Sequence, residues 1–342
     1  MNRRLPGRIF VLVLSFLAIG AAIGCAPRKP ETDPPGASDG ARRLAEQLDA
    51  DFARIRGEVE RLAVFISGLY ARQDELVAKV DTAKYAFAAN GAFHKTADDG
   101  GAALWISAVE PITDQVRRVA YFTEAADPEL IAICRRFPEV SQAYYNDRHS
   151  LNRIYPWFDT IAQYPARMNI PEYNFYYLAD AAHNPARGGV WVDEPYVDPA
   201  GRGWMVSAIA PVYVDGRLEG VPGLDVTIAT LANRYLHDDG RAIAVISRQG
   251  VLVAATERAI QHLEMPPLKD HKYLETVKLD TFKPDEYNIL KSTIRPVRAM
   301  AKEILEKEQG ELRLELMQDG SHTVCFTRMK ELGWTVVEIT PP

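Results

Sequence analysis

Cysteine is scarce in this chain: three residues in 342, at positions 25, 134 and 325. None belongs to a CxxC pair or a Cys/His cluster with ligand spacing, which argues against a zinc module or a dithiol redox centre. The seven histidines, at 94, 149, 183, 237, 262, 271 and 322, are scattered without metal spacing. A nucleophile elbow, an HExxH helix and a phosphate-cradling glycine loop are all missing. The Gly201-Arg202-Gly203 turn has no helix after it, which weakens a phosphate role. Glu194 with Asp198, or Asp238 with Asp239, are acidic neighbours of the kind found in solvated turns rather than a glycosidase pair. Basic charge is not in excess either. With 40 Lys and Arg against 46 Asp and Glu the net charge is −6, which disfavours nucleic acid as a partner. The expectation is a protein without catalytic residues, metal or cofactor.

Long apolar runs are also short in supply. Ile9 to Gly24 is uncharged and apolar, but its 16 residues fall below the roughly 20 that a spanning helix needs. Arg3, Arg4 and Arg8 precede it and small residues follow, the pattern of an export signal over residues 1–24. The segment Ala22-Ile23-Gly24-Cys25 resembles the lipobox of bacterial lipoproteins, although Ala22 stands where that pattern prefers Leu. The resemblance implies lipidation of Cys25 and attachment to a membrane through acyl chains, each buried CH₂ contributing about 0.8 kcal/mol. With Ala26 after the cysteine it further implies outer-membrane sorting if the source is Gram-negative. An ordinary signal peptide with an incidental cysteine remains the alternative. Loss of the three leader arginines leaves 37 basic against 46 acidic residues, a charge of −9. In an oxidising compartment Cys134 and Cys325 could pair, but two unpaired thiols are the expectation.

Residues 25–40 are rich in Pro, Gly and charge and read as a flexible tether. From about 41 to 82, Leu44, Leu48, Ile55, Val59, Leu62, Ile66, Leu69, Leu76 and Val80 recur at threes, fours and sevens, which predicts one long amphipathic helix. Its stripe is core packing on one reading and the seam of a homodimer on another. Ala103–Val109, Arg117–Phe122, Val190–Val192, Trp204–Val214 and Gly220–Ile228 read as strands, and Pro128–Phe137 and Asn152–Gln163 as helical. Asp215-Gly216 closes a hairpin. A connecting helix at Ala229–Leu236 opens a second unit, whose end supplies three strands with turns at Asp319-Gly320 and Leu332-Gly333. The fold class is therefore α+β: a long N-terminal helix followed by two units with antiparallel sheets, 83–229 and 230–342.

The stretch from Tyr173 to Asp225 carries a more specific pattern. Tyr196-Val197-Asp198, the turn Gly201–Gly203, Pro211-Val212-Tyr213 and Gly220-Val221-Pro222-Gly223-Leu224-Asp225 follow in order. This resembles the membrane-distal half of the double Cache family, the tandem PAS-like sensor domains of bacterial receptors. The resemblance implies a ligand pocket in the first unit, with Asp225 as the amine-binding carboxylate, Tyr196 and Asp198 as a strand-side pair, and Tyr176 and Tyr177 as adjacent aromatics. Trp157 is a further candidate wall. Amino-acid-binding members carry Arg where this chain has Asn174, and an amide replaces neither the charge nor the fork of a guanidinium. The expected ligand is therefore an amine or another small polar metabolite, with Arg153 as a conceivable anion contact.

Each candidate has a plainer reading. Trp157, Tyr176 and Tyr177 could be core aromatics. Asp198, just before Pro199-Ala200-Gly201, could bond its own backbone in a turn. Asp225, inside an apolar strand, needs either a ligand or a buried Arg beside it if it points inward. Most double Cache receptors continue into a spanning helix and a signalling module, whereas this chain ends after its last strand pattern. Output is therefore expected to pass to a separate membrane-bound partner. The alternative is a ligand-free structural or interaction module of the envelope.

Overall fold

A computed structural model describes residues 37–237, 239–266, 284–317 and 320–341. The expected leader, most of the tether with Cys25, and the candidates Asp238, His271 and Asp319 lie outside the described residues. Helix α1 (Ala37–Ala71) is followed by the short α2 (Gln73–Val77). Then come β1 (Tyr85–Phe87), β2 (Phe93–Lys95), β3 (Ala103–Ile106), α3 (Asp114–Phe122), α4 (Asp127–Arg136), β4 (Gln142–Asp147) and β5 (Leu151–Tyr155). A segment with two one-turn helices, α5 (Thr160–Gln163) and α6 (Asn174–Tyr177), leads to β6 (Val190–Val197), β7 (Trp204–Ile209), β8 (Val212–Val214) and β9 (Arg217–Thr227). Helix α7 (Ile228–Tyr235) connects to β10 (Ala242–Ile246), β11 (Leu252–Ala255), α8 (Glu257–Leu263), α9 (Arg295–Glu306), β12 (Gln309–Leu316), β13 (Gly320–Arg328) and β14 (Thr335–Thr340).

Two antiparallel sheets result. The first runs β1-β2-β3-β5-β4-β9-β7-β6, with β8 also paired to β9; the second runs β11-β10-β14-β13-β12. The stripe on α1 is core: Leu48, Phe52, Ile55, Val59 and Ile66 are fully buried, each such side chain contributing roughly 1.5–3 kcal/mol. They pack with Val206, Ala208, Leu224 and Val226 of the first sheet and with Ile243, Val245 and Val336 of the second. The stripe is thus consumed within the chain, while Val64 and Phe65 on the same helix face outward. The other face of the second sheet packs α8 and α9 through Ala244, Ile246, Phe326 and Ile339. Among the described residues no helix is long and apolar enough to cross a membrane, and Cys134 and Cys325 are unpaired thiols.

Three local expectations are corrected. The long helix does not reach Thr82: Arg72 leaves helical geometry at φ −112°, ψ 13°, and Asp74 and Glu75 open α2, where the helix dipole favours their charge. Arg117–Phe122 is helix rather than strand, because Thr113 accepts from the Val116 amide as N-cap and the buried Val116 and Ala120 are one turn apart. Asn152–Gln163 is not one helix. Its first part is strand β5, paired on both sides by β3 and β4; only Thr160–Gln163 is helical, capped by Asp159. The hairpin turn is as read: Asp215 and Gly216 have φ of 49° and 80°, the two positive values of a type I′ turn.

Phe52 lies between Trp191 of β6, at 4.8 Å between ring centroids, and Trp334, at 6.3 Å, and so ties α1 to both sheets. Phe52→Ala is expected to cost about 3–5 kcal/mol in urea unfolding, whereas Val64→Ala, at a site 75% exposed, should stay within about 0.5 kcal/mol.

Candidate functional site

The site follows from strand parity. Side chains alternate between the faces of a sheet, and on β9 Leu224 and Val226 face α1, which leaves Val221, Gly223 and Asp225 on the opposite face. Register then places Gln142 of β4 and Ser207 of β7 directly across from Asp225 on its two flanking strands. Gln142 Nε2 donates to Asp225 Oδ2 at 2.8 Å and to Asp198 Oδ2 at 3.0 Å. Ser207 Oγ lies 2.5 Å from Asp225 Oδ1, and the Tyr196 hydroxyl lies 2.6 Å from Ser207 Oγ. Asp198 serves two ends at once. Its carboxylate accepts from the amides of Ala200 and Arg202 and so holds the following turn, while the residue also lines the cavity.

A half-open cavity with a volume of about 20 Å³ is lined by Gln142, Tyr144, Asn146, Asn152, Ile154, Tyr164, Met168, Ile170, Phe175, Tyr196, Asp198, Pro199 and Asp225. That is room for about one water molecule. None of these residues is basic, so two buried carboxylates meet with only the solvent-exposed Arg202 nearby as countercharge. Burial, then the neighbouring Asp198, pushes the Asp225 carboxyl up to about 8, and burial raises Asp198 as well. Tyr144, Tyr164 and Tyr196 are raised well above ordinary phenols by burial and remain neutral. Asn152 donates to Asn146 at 2.8 Å, and Tyr164 donates to Asn152 at 3.2 Å. The far end of the cavity is therefore neutral and amide-rich. The buried Tyr144 hydroxyl has no hydrogen-bond partner.

The sequence candidates separate into two groups. Tyr196, Asp198 and Asp225 converge on the cavity. Arg153 does not: on β5 the pocket face belongs to Asn152 and Ile154, so Arg153 emerges on the other side. There it donates to Asp127 at 2.7 Å, to Thr123 at 3.2 Å and to the Ala120 carbonyl at 2.5 Å, fully buried. Asn174 turns back to accept from the Phe175 amide. Tyr177 is half-exposed against His183. Tyr176 is core, and Trp157 packs beside Tyr144 and Ile154 without lining the cavity. The aromatic wall falls instead on Phe175, whose ring is 5.6 Å from Tyr196 and 6.4 Å from Tyr144.

Gln142, Ser207, Tyr144 and the two asparagines escaped the sequence reading. The signal for β4 was Gln-Ala-Tyr-Tyr-Asn-Asp, in which Gln142, Tyr144 and Asn146 share one face; for Ser207 it was a lone hydroxyl in the apolar run Trp204–Ile209. Among the described residues no cluster of three or more His, Cys, Asp or Glu could hold a metal ion.

No protein-family profile matches the chain, and no curated protein matches it. Solved structures do. The extracellular domain of the candidate histidine kinase mmHK1S-Z3 aligns over 89% of this chain and 93% of its own, at 12% identity and a TM-score of 0.50. The protein described as Methyl-accepting Chemotaxis protein X aligns over 90% and 97%, at 15% identity and a TM-score of 0.50. At such identities the likeness is one of fold: a long helix followed by two units with antiparallel sheets.

Gly223, opposite Tyr144 across β9 and β4, leaves the space that the Tyr144 ring occupies; an added Cβ would fall inside that ring. Gly223→Ala is expected to push Tyr144 toward the cavity and to destabilise the protein by about 1–3 kcal/mol in urea titrations.

Proposed function

We propose that the protein is a lipid-anchored extracytoplasmic sensor of a small cationic ligand, an amine, and that it passes its signal to a separate membrane-bound partner. The observation that carries this reading is the convergence of Asp198 and Asp225 on one cavity without a basic residue among its walls. An ammonium supplies the missing charge through charge-assisted hydrogen bonds to the carboxylates. Tyr144, Phe175 and Tyr196 offer ring faces, each worth roughly 0.5–2 kcal/mol to a cation. With Arg153 held by Asp127 and an amide at Asn174, neither of these two positions clamps an α-carboxylate, which disfavours ordinary amino acids. In this reading residues 83–229 sense and 230–342 relay, while Cys25 carries the lipid.

Binding requires opening. Tyr164, Met168, Ile170 and Phe175 line the cavity; in this reading they form its roof and move apart to admit anything larger than water. That movement is the means by which occupancy would reshape the unit. The present volume of about 20 Å³ is the observation in favour of the second reading, a ligand-free envelope module.

Two measurements test the proposal on the full-length, detergent-extracted protein. A thermal-shift screen with amines, amino acids, carboxylates and purines should show stabilisation by an amine, about 2.7 kcal/mol at 100 times its dissociation constant. Asp225→Ala should remove that shift while remaining folded. No shift from any amine on the folded protein would favour the ligand-free module. Separately, Cys25→Ala should move the exported protein from the membrane to the soluble fraction; unchanged membrane retention would defeat the lipid anchor.

A further inference from the structure

The two carboxylates at the cavity are closer to one another than their surroundings allow for two full charges. Each has an oxygen within 3.0 Å of the same Gln142 nitrogen, so these oxygens are less than about 6 Å apart. Both side chains are nearly inaccessible, 4% and 2% exposed. Gln142 is neutral and offsets neither charge. The groups that face the pair from each packed element are Gln142 and Tyr144 on β4, Ser207 on β7, Tyr196 on β6, Tyr164 on the roof, Cys134 on α4 and Arg202 in the turn. The phenols are neutral, and burial pushes the Cys134 thiol up to about 12. Arg202 is exposed to solvent, which screens its charge. Two like charges that close, in a site of low polarity, cannot both persist without a cation.

We propose that the empty site stores one proton on the Asp198–Asp225 pair, and that a cationic ligand displaces this proton when it binds. The proton is more at home on Asp225. Asp198 accepts two backbone amides besides Gln142, donors that favour its ionised form. Among the described residues, the Asp225 carboxylate accepts from Gln142 and Ser207 alone. As an acid, Asp225 keeps Oδ2 as acceptor for Gln142 while its Oδ1 hydroxyl donates to Ser207 Oγ, whose own proton turns to the Tyr196 hydroxyl at 2.6 Å. On ligand binding an ammonium N–H takes over at the pair, and the carboxyl proton leaves to solvent. Charge balances: one cation enters and one proton departs. Occupancy then depends on pH as well as on ligand concentration. This exchange rests on the amine reading above; the stored proton does not.

The store is tested without ligand. The Asp225 carboxyl sits near 8 in the folded protein and about 4 in an unfolded chain. The folded state therefore binds the proton more tightly. Its stabilisation is fully present below about pH 4 and is lost as pH rises to 8, by up to tenfold in the folding equilibrium per pH unit. Between pH 5 and pH 7, urea unfolding of the full-length protein should show wild type losing up to about 100-fold relative to Asp225→Asn. Equal pH slopes would overturn the store. If Asp225→Asn does not fold, Asp198→Asn serves: removing the like charge should flatten the wild-type slope, and an unchanged slope again overturns it.

The exchange is tested with ethanolamine, which stays protonated at pH 7. Calorimetric titrations in phosphate and in MOPS, buffers of different ionisation enthalpy of which neither is a primary amine, should give about 0.9 proton released per ligand at pH 7, with affinity rising close to tenfold from pH 6 to pH 7. Binding with equal heats in both buffers overturns the exchange and leaves the amine reading intact. If neither ethanolamine nor any amine in the thermal screen binds, the functional reading fails and the exchange with it, while the pH slopes still decide the store.

Discussion

The burial of one apolar stripe on α1 governs the arrangement of everything else. Among the described residues, the α1 face of each sheet packs against this helix and the short helices around it. Phe52 and Ile55 sit where the two sheets meet, so the units cannot slide along α1 without exposing rings and branched chains worth roughly 1.5–3 kcal/mol each. Polar contacts then pin the register. Asp49 accepts the amides of Lys330 and Glu331, and Arg56 pairs with Glu331 at 2.8 Å. These join the helix to the β13–β14 connection of the second unit.

Committing one face of the first sheet to α1 decides which residues are left for the other. Parity does the sorting: Leu224 and Val226 go to the helix, Asp225 to the cavity; Arg153 goes behind the sheet, Asn152 to the cavity. The row Gln142, Asp225, Ser207 crosses three neighbouring strands at one level. A one-residue slip of β9 would place Asp225 against apolar α1 side chains and bring Leu224 into the cavity. The register that builds the core and the register that builds the site are the same register.

Much of the architecture could be read from periodicity. The α1 stripe, the Asp215-Gly216 hairpin, α4 after Pro128 and the last three strands carry strong local signals, and the double Cache pattern from Tyr196 to Asp225 indicated the fold. What escaped was set by tertiary context. Leu151–Tyr155 alternates only once its two faces are known, because a buried arginine and a buried asparagine occupy opposite sides of one strand. Read as helix, it offered Arg153 to the ligand. On the single turn of α6, adjacent residues point about 100° apart, so a reading that selected Tyr176 and Tyr177 missed Phe175 between Tyr144 and Tyr196. Gln142 stood in a segment with no apolar run to advertise a strand, yet it is the donor that joins both carboxylates.

Strand β6 links the cavity to the second unit. Its C-terminal end bears Tyr196 and leads into Asp198; its middle bears Asp193, whose carbonyl accepts from Trp334 at 2.8 Å and whose carboxylate lies 3.4 Å from Arg248. The pairing of β6 with β7 shifts register after Val192, so the strand is bulged at Asp193–Pro195, the segment that carries the Trp334 and Arg248 contacts. A bulge lets one end of a strand adjust without dragging the whole ladder, whereas a rigid pair would transmit or resist every displacement. In the proposed sensor a rearrangement of Tyr196 and Asp198 would therefore meet a compliant element first, one whose Trp334 and Arg248 contacts adjoin the packing of Phe52 on Trp191 and Trp334.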